Sequence, residues 1–171
     1  MPRERFQFPM PASTEVVFDA FHYHHWRHKW DTLVSATHVL GDHPCPFVGA
    51  LSQNTGAGWL SGLTMQTQFI SYDRPKVAAA KMLGQSFPFA KWSASMRHQP
   101  IGPNESLMIY TYSFDGGDTC VSRLLQPIVR IVFNWQTKKR FECLQKFLAN
   151  HAHEIEAWQQ MTHPSYDTSA L

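Results

Sequence analysis

Cysteine is scarce in this chain. There are only Cys45, Cys120 and Cys143 in 171 residues. An odd count with no CxxC spacing is what reduced thiols in a cytoplasmic protein look like, not a disulfide framework. Long apolar runs are missing too. None approaches the roughly 18 residues that cross a bilayer, so no integral membrane association is expected. The N-terminal Met1-Pro-Arg-Glu-Arg-Phe6 carries charges with no apolar stretch behind them, so no secretory signal is expected either. Charge of one sign is also lacking. The formal net charge of +2 is too small for a nucleic-acid surface, and the one basic run, Lys138-Lys139-Arg140, reads as a solvated helix face. Catalytic signatures are absent as well: there is no GxSxG, no Walker motif and no GxGxxG, and Gly56-Ala-Gly58 reads as turn chemistry.

What the chain does contain is apolar and aromatic. Hydrophobic residues make up 43% and aromatics 13%. That excludes disorder and supplies a core for one domain over residues 1–171, with a loose tail at 162–171. Residues 4–9 alternate as a short edge strand ended by Pro9. Ser13 is placed to cap a helix, with Glu15 at its positive end and Val16, Val17, Phe18, Ala20 and Phe21 on its buried side. Residues 24–33 read as a second short helix through the spacing of Trp26, Trp30 and Leu33, with Trp30 buried against a sheet. Strands follow at about 37–40, 47–53, 65–72, 77–83, 92–98 and 106–114. Turns at Gly41-Asp42, 54–58, Asp73-Arg-Pro75 and 100–104 separate them. Short turns between consecutive strands make an antiparallel meander. A helical pattern over about 127–158 closes the chain, and a helix over about 128–157 is expected. The whole is α+β, an antiparallel sheet of six or seven strands wrapped around a long C-terminal helix, with two short helices after the first strand.

This order resembles the helix-grip fold and, more narrowly, the SRPBCC superfamily, which includes START-like lipid carriers and polyketide cyclase-like proteins. The resemblance is carried by Pro11-Ala-Ser-Thr-Glu-Val-Val-Phe18, Trp30, Val39-Leu-Gly41, Phe69-Ile-Ser-Tyr-Asp-Arg-Pro75 and the final helix. These motifs are architectural and none is catalytic. The apolar Phe133 and Trp135 and the long approach over 116–126 depart from the pattern at the cavity mouth. The resemblance implies a cavity between the curved sheet and the long helix that holds an apolar ligand.

Several constellations invite chemistry. His24 and His28 share the i, i+4 spacing of a zinc-binding helix, with Glu15, Asp19 and Asp31 nearby, but nothing selects a third ligand. They read as a polar helix face, with no metal and no cofactor expected. His43-Pro-Cys-Pro46 sets a thiol near an imidazole, yet the two prolines remove backbone donors an oxyanion would need. No catalytic residue is assigned. The strands are more informative, because alternation puts Met65, Thr67, Phe69 and Ser71 on one face. Trp92, Ala94, Met96 and His98 share another, and so do Met108, Tyr110, Tyr112 and Phe114. Stepping back along the last helix from Phe141 by threes and fours brings Thr137, Asn134 and Arg130 inward. The residues expected to line a ligand cavity are therefore Phe69, Trp92, Met96, His98, Tyr110, Tyr112 and Asn134. The expected partner is a small hydrophobic molecule such as a lipid, quinone or aromatic polyketide-like compound. One alternative is a cyclase or dehydratase-like enzyme using His98 or a tyrosine in the same cavity. Another is a protein-interaction module acting through the exposed sheet or the Trp26 and Trp30 region, which a large outer apolar patch over a filled interior would favour.

Overall fold

The computed structural model describes residues 3–41, 43–56 and 64–162. The chain runs β1 (Arg3–Met10), α1 (Thr14–His22), α2 (His24–Arg27), β2 (Val34–Val39), β3 (Leu51–Gly56), β4 (Thr64–Asp73), β5 (Val77–Met82), β6 (Lys91–Gly102), β7 (Glu105–Asp115) and α3 (Cys120–Thr162). All seven strands form one antiparallel sheet in the order β1-β7-β6-β5-β4-β3-β2. Five consecutive hairpins build the meander from β2 to β7. The first strand returns to the far edge beside β7, where Pro9 is tolerated because an edge strand has one side without ladder bonds.

Local chemistry accounts for the element starts. Ser13 Oγ accepts the Val16 N–H at 3.4 Å and opens α1, whose Val16, Val17, Phe18, Ala20 and Phe21 are all buried. The second helix is shorter than its apolar spacing implies. Beyond Arg27 the chain turns, the Trp30 indole N–H donates to the Ala20 carbonyl at 2.9 Å, and Asp31 Oδ1 accepts the Leu33 N–H at 3.2 Å. These bonds need a turn where regular helix was expected, and they leave Trp30 only 4% exposed.

The last helix is longer than expected, starting at Cys120 and ending at Thr162. Thr119 caps it: its Oγ1 accepts the Ser122 N–H at 3.1 Å and its carbonyl accepts the Arg123 N–H at 3.0 Å. Pro127 therefore lies inside the helix instead of opening it, and the Arg123 carbonyl loses its intrahelical donor. Before Thr137 no α3 residue is buried. From there on Thr137, Arg140, Phe141, Leu144, Phe147, Leu148 and Ile155 are buried against the sheet and α1.

Two further expectations shift. Asn54, Thr55 and Gly56 belong to β3 and pair with β4 or β2, so these three residues of the expected turn at 54–58 are strand. Its residues 57–58, and the tail from 163 onward, fall outside the described residues. In β4 the register slips between Phe69 and Ser71. The bulge reverses parity, so Tyr72 and not Ser71 follows Phe69 on the inner face, where its ring meets Phe18 and His22.

Candidate functional site

The sheet curves around α3, and the interior has two unlike halves. At the β1, β7 and α1 side the space is filled by Phe8, Phe18, Tyr110, Tyr112, Phe141 and Leu144. At the β3 to β6 side the inner face carries small residues. Ala80 pairs with Ala94 across β5 and β6, and Ala78 pairs with Met96. Alanines here leave the side of α3 that faces β4 and β5 without large sheet side chains to meet. The result is a cavity of about 410 Å³ between β4, β5, β6 and the Ile128, Val129, Val132, Phe133 and Gln136 side of α3. Exposed Phe87 and Ile128 stand among the lining residues and mark its mouth.

Four of the seven expected residues line this cavity: Phe69, Trp92, Met96 and Tyr110. Three do not. His98 lies on the same sheet face as Met96 but farther along β6, under α1, where its ring meets Phe18 with centroids 5.5 Å apart. Burial pulls its pKa down to about 4, so it is neutral. Tyr112 is 1% exposed beneath Phe6, Phe114 and Phe133, and its hydroxyl donates to the Asn134 Oδ1. Asn134 is thus engaged on the packed half and lies outside the cavity lining. The helical phase is responsible: Arg130, Asn134, Thr137 and Phe141 turn toward β1 and β7, where Arg130 also pairs with Glu4 at 3.3 Å. The cavity-facing polar place belongs to Gln136, one residue before Thr137.

The most charged part of the lining escaped sequence reasoning. Arg140, assigned above to a solvated face, is buried, whereas its neighbours Lys138 and Lys139 are exposed. With Arg27 it reaches the cavity wall, and both guanidiniums hold the buried Asp31 carboxylate. Arg27 Nε donates at 2.8 Å, Arg140 Nε at 3.0 Å and Arg140 Nη2 at 2.5 Å. Burial alone would raise the Asp31 pKa, but the two cations outweigh it and hold the carboxyl below its ordinary value. Arg140 was visible in one respect. It lies three residues beyond Thr137 and four before Leu144, within the buried stripe.

The remaining constellations are structural. Asp19 is fully buried and accepts two bonds from Arg74, at 2.7 and 2.6 Å, and one from Gln159 at 2.5 Å, tying α1 to the β4–β5 turn and the end of α3. His22 shares a 2.8 Å hydrogen bond between Nδ1 and the Phe18 carbonyl, and burial drives its pKa down to about 3. His24 lies in the short α2 and His28 beyond it, and among the described residues no group of three His, Cys, Asp or Glu side chains is placed to hold a metal. The His43 ring lies against Phe47, with centroids 4.9 Å apart. Among the described residues no helix is long and apolar enough to cross a membrane.

No family model and no curated protein matches the sequence. Solved structures do match. A conserved protein from Geobacillus kaustophilus superposes with a TM-score of 0.69 at 14% identity, covering 88% of this chain and 97% of that one. A START superfamily protein from Mycobacterium smegmatis gives 0.67 at 11% identity, covering 91% and 98%. Norcoclaurine synthase from Thalictrum flavum, in complex with dopamine and hydroxybenzaldehyde, gives 0.63 at 11% identity, covering 88% and 87%. At these identities the likeness concerns architecture alone, and it shows that the chain shares the helix-grip fold of these structures.

Proposed function

We propose that the protein binds a small hydrophobic ligand in the cavity between its sheet and α3, as a carrier or binding module of the cytoplasm. The observation that carries this reading is the cavity itself. Close packing fills protein interiors with few voids larger than a water molecule, whereas about 410 Å³ lies open here beside Phe69, Trp92, Met96 and Phe133. That volume falls in the range of small-molecule sites. An apolar wall with a few convergent polar groups suits a lipid, a quinone or a flat aromatic compound, and a neighbour with this fold was crystallised with two aromatic molecules.

The cyclase-like alternative needs an acid or base that can reach the ligand. His98 is under Phe18, and the Tyr110 hydroxyl, pushed up to about 12 mainly by burial, keeps its proton at neutral pH. The interaction alternative asked for an outer apolar patch over a filled interior. Exposed Val121, Leu124, Ile128, Ile131 and Trp135 supply the patch, but the interior is not filled.

The reading is tested with Nile red, an uncharged hydrophobic fluorophore. The parent is expected to bind it in the folded state. Met96→Trp and Ala94→Phe, which fill the cavity from β6, should each weaken binding by about tenfold or more. Binding that both substitutions leave unchanged would place the dye elsewhere and remove the site from this reading.

A further inference from the structure

We infer that the cavity is matched to an amphiphile, an apolar body with one anionic head group that docks on Arg27 and Arg140. The inference deepens the ligand-binding reading above and rests on it.

Arg27, Asp31 and Arg140 form a cluster of two cations and one anion, with side chains 12%, 1% and 10% exposed. Among the described residues no second acid lies within ion-pair distance of either guanidinium. One positive charge is therefore left over at the wall of an otherwise apolar cavity. Neither cation can discharge, because arginine stays protonated in proteins.

Hydrogen bonding points the same way. The two Asp31 oxygens already accept three bonds from the arginines and one from the Leu33 N–H. That occupies the roughly four acceptor sites of a carboxylate. Of the five N–H donors on each guanidinium, Arg27 gives one to Asp31 and Arg140 gives two. The rest have no acceptor among the described residues, and both side chains contribute to the cavity lining. Part of the excess charge is softened by the Phe21 ring, with Arg27 Cζ 4.7 Å and Arg140 Cζ 5.0 Å from its centroid. A ring face offers no lone pair to the N–H forks, however. The other titratable groups beside the pair, Tyr110, His22 and His24, are neutral at physiological pH, burial being the main cause for each.

A purely structural link between the α2 turn and α3 would need only one arginine. A lone buried Asp–Arg pair is balanced, and a second cation beside it is a desolvated charge without a counter-ion. An anionic head group supplies that counter-ion. Paired forks of this kind suit planar or tetrahedral oxyanions, so a carboxylate and a phosphate share the required chemistry. The apolar remainder would lie along Phe69, Met96, Trp92 and Phe133 toward the mouth.

The test compares cis-parinaric acid with its uncharged methyl ester, by probe fluorescence on the intact chain at neutral pH. The parent should bind the acid about tenfold or more tightly than the ester, the value of a charge-assisted bond in a dry site. Arg27→Met leaves a balanced Asp31–Arg140 pair, so it is expected to fold. It should bring the affinities for acid and ester to about the same value, abolishing the preference for the acid. Displacement of the acid by laurate more readily than by dodecyl phosphate assigns the head to a carboxylate, and the reverse order assigns it to a phosphate; both support the inference. Equal affinity for acid and ester in the parent overturns the anionic head while leaving the hydrophobic carrier intact. Absence of binding by either probe overturns both.

Discussion

At the scale of single residues, buried histidines set how the fold responds to acid. His22 and His98 are 3% and 6% exposed, and burial is the largest cause of their lowered pKa values, about 3 and about 4. In the unfolded chain each would titrate near 6.5. Between those values the unfolded state binds a proton that the folded state refuses, so stability falls as pH drops below about 6.5. Above that pH both states hold neutral imidazole and the effect vanishes. His98→Leu removes one of these protons from the unfolded state. Its stability relative to the parent, from urea titrations, should therefore be better near pH 5 than near pH 8 by about 2 kcal/mol. A difference independent of pH would mean that His98 takes up its proton in the fold as readily as in the unfolded chain.

At the scale of elements, α3 consists of two helices in one. From Thr137 to Ile155 its buried stripe is fixed on the sheet, with Phe141, Leu144 and Ile155 fully buried. From Cys120 to Gln136 it has no buried residue, loses one backbone bond at Pro127, and exposes Val121, Leu124, Ile128, Ile131 and Trp135. Few buried contacts mean a low free energy of local opening. Amide hydrogen exchange should show residues 120–133 exchanging faster than residues 140–157 by about a hundredfold or more. Uniform protection along α3 would refute the division. The same helix shows what could be read from the chain. Its buried half was legible because Phe141, Leu144, Leu148 and Ile155 repeat at threes and fours. Its exposed half was not, because apolar side chains facing solvent break the rule that periodicity reports burial. Phase error of a single residue then sent Asn134 to the cavity and hid Gln136. The strands were legible for a simpler reason: register errors would invert a face, and Trp92, Met96 and Tyr110 kept theirs because β6 and β7 pair without slippage between Lys91 and Pro100. The β4 bulge, which no residue type announced, moved Ser71 off the inner face.

At the scale of the whole molecule, one side of the interior is packed to exclusion and the other is left open, and this division lies at the root of the functional reading. A sheet could close the open side cheaply. Ala80 sits in the strand interior, opposite Ala94 and Phe69, and borders the cavity. A β-branched residue there would suit the strand and remove apolar surface from the cavity. Ala80→Ile should therefore stabilise the unliganded protein by about 1 kcal/mol, raising its melting temperature by a few degrees. The same substitution should reduce the gain that ligand confers. A ligand that binds only the folded chain adds about 2.7 kcal/mol at a hundred times its dissociation constant. Melting curves with and without Nile red should show a clear upward shift in the parent and a smaller one, or none, in Ala80→Ile. A protein whose cavity is incidental would gain stability from isoleucine and show no ligand shift in either form. One built around a ligand trades its own stability for the space to hold it. A higher unliganded melting temperature together with a smaller ligand-induced shift in Ala80→Ile is the behaviour expected of this chain.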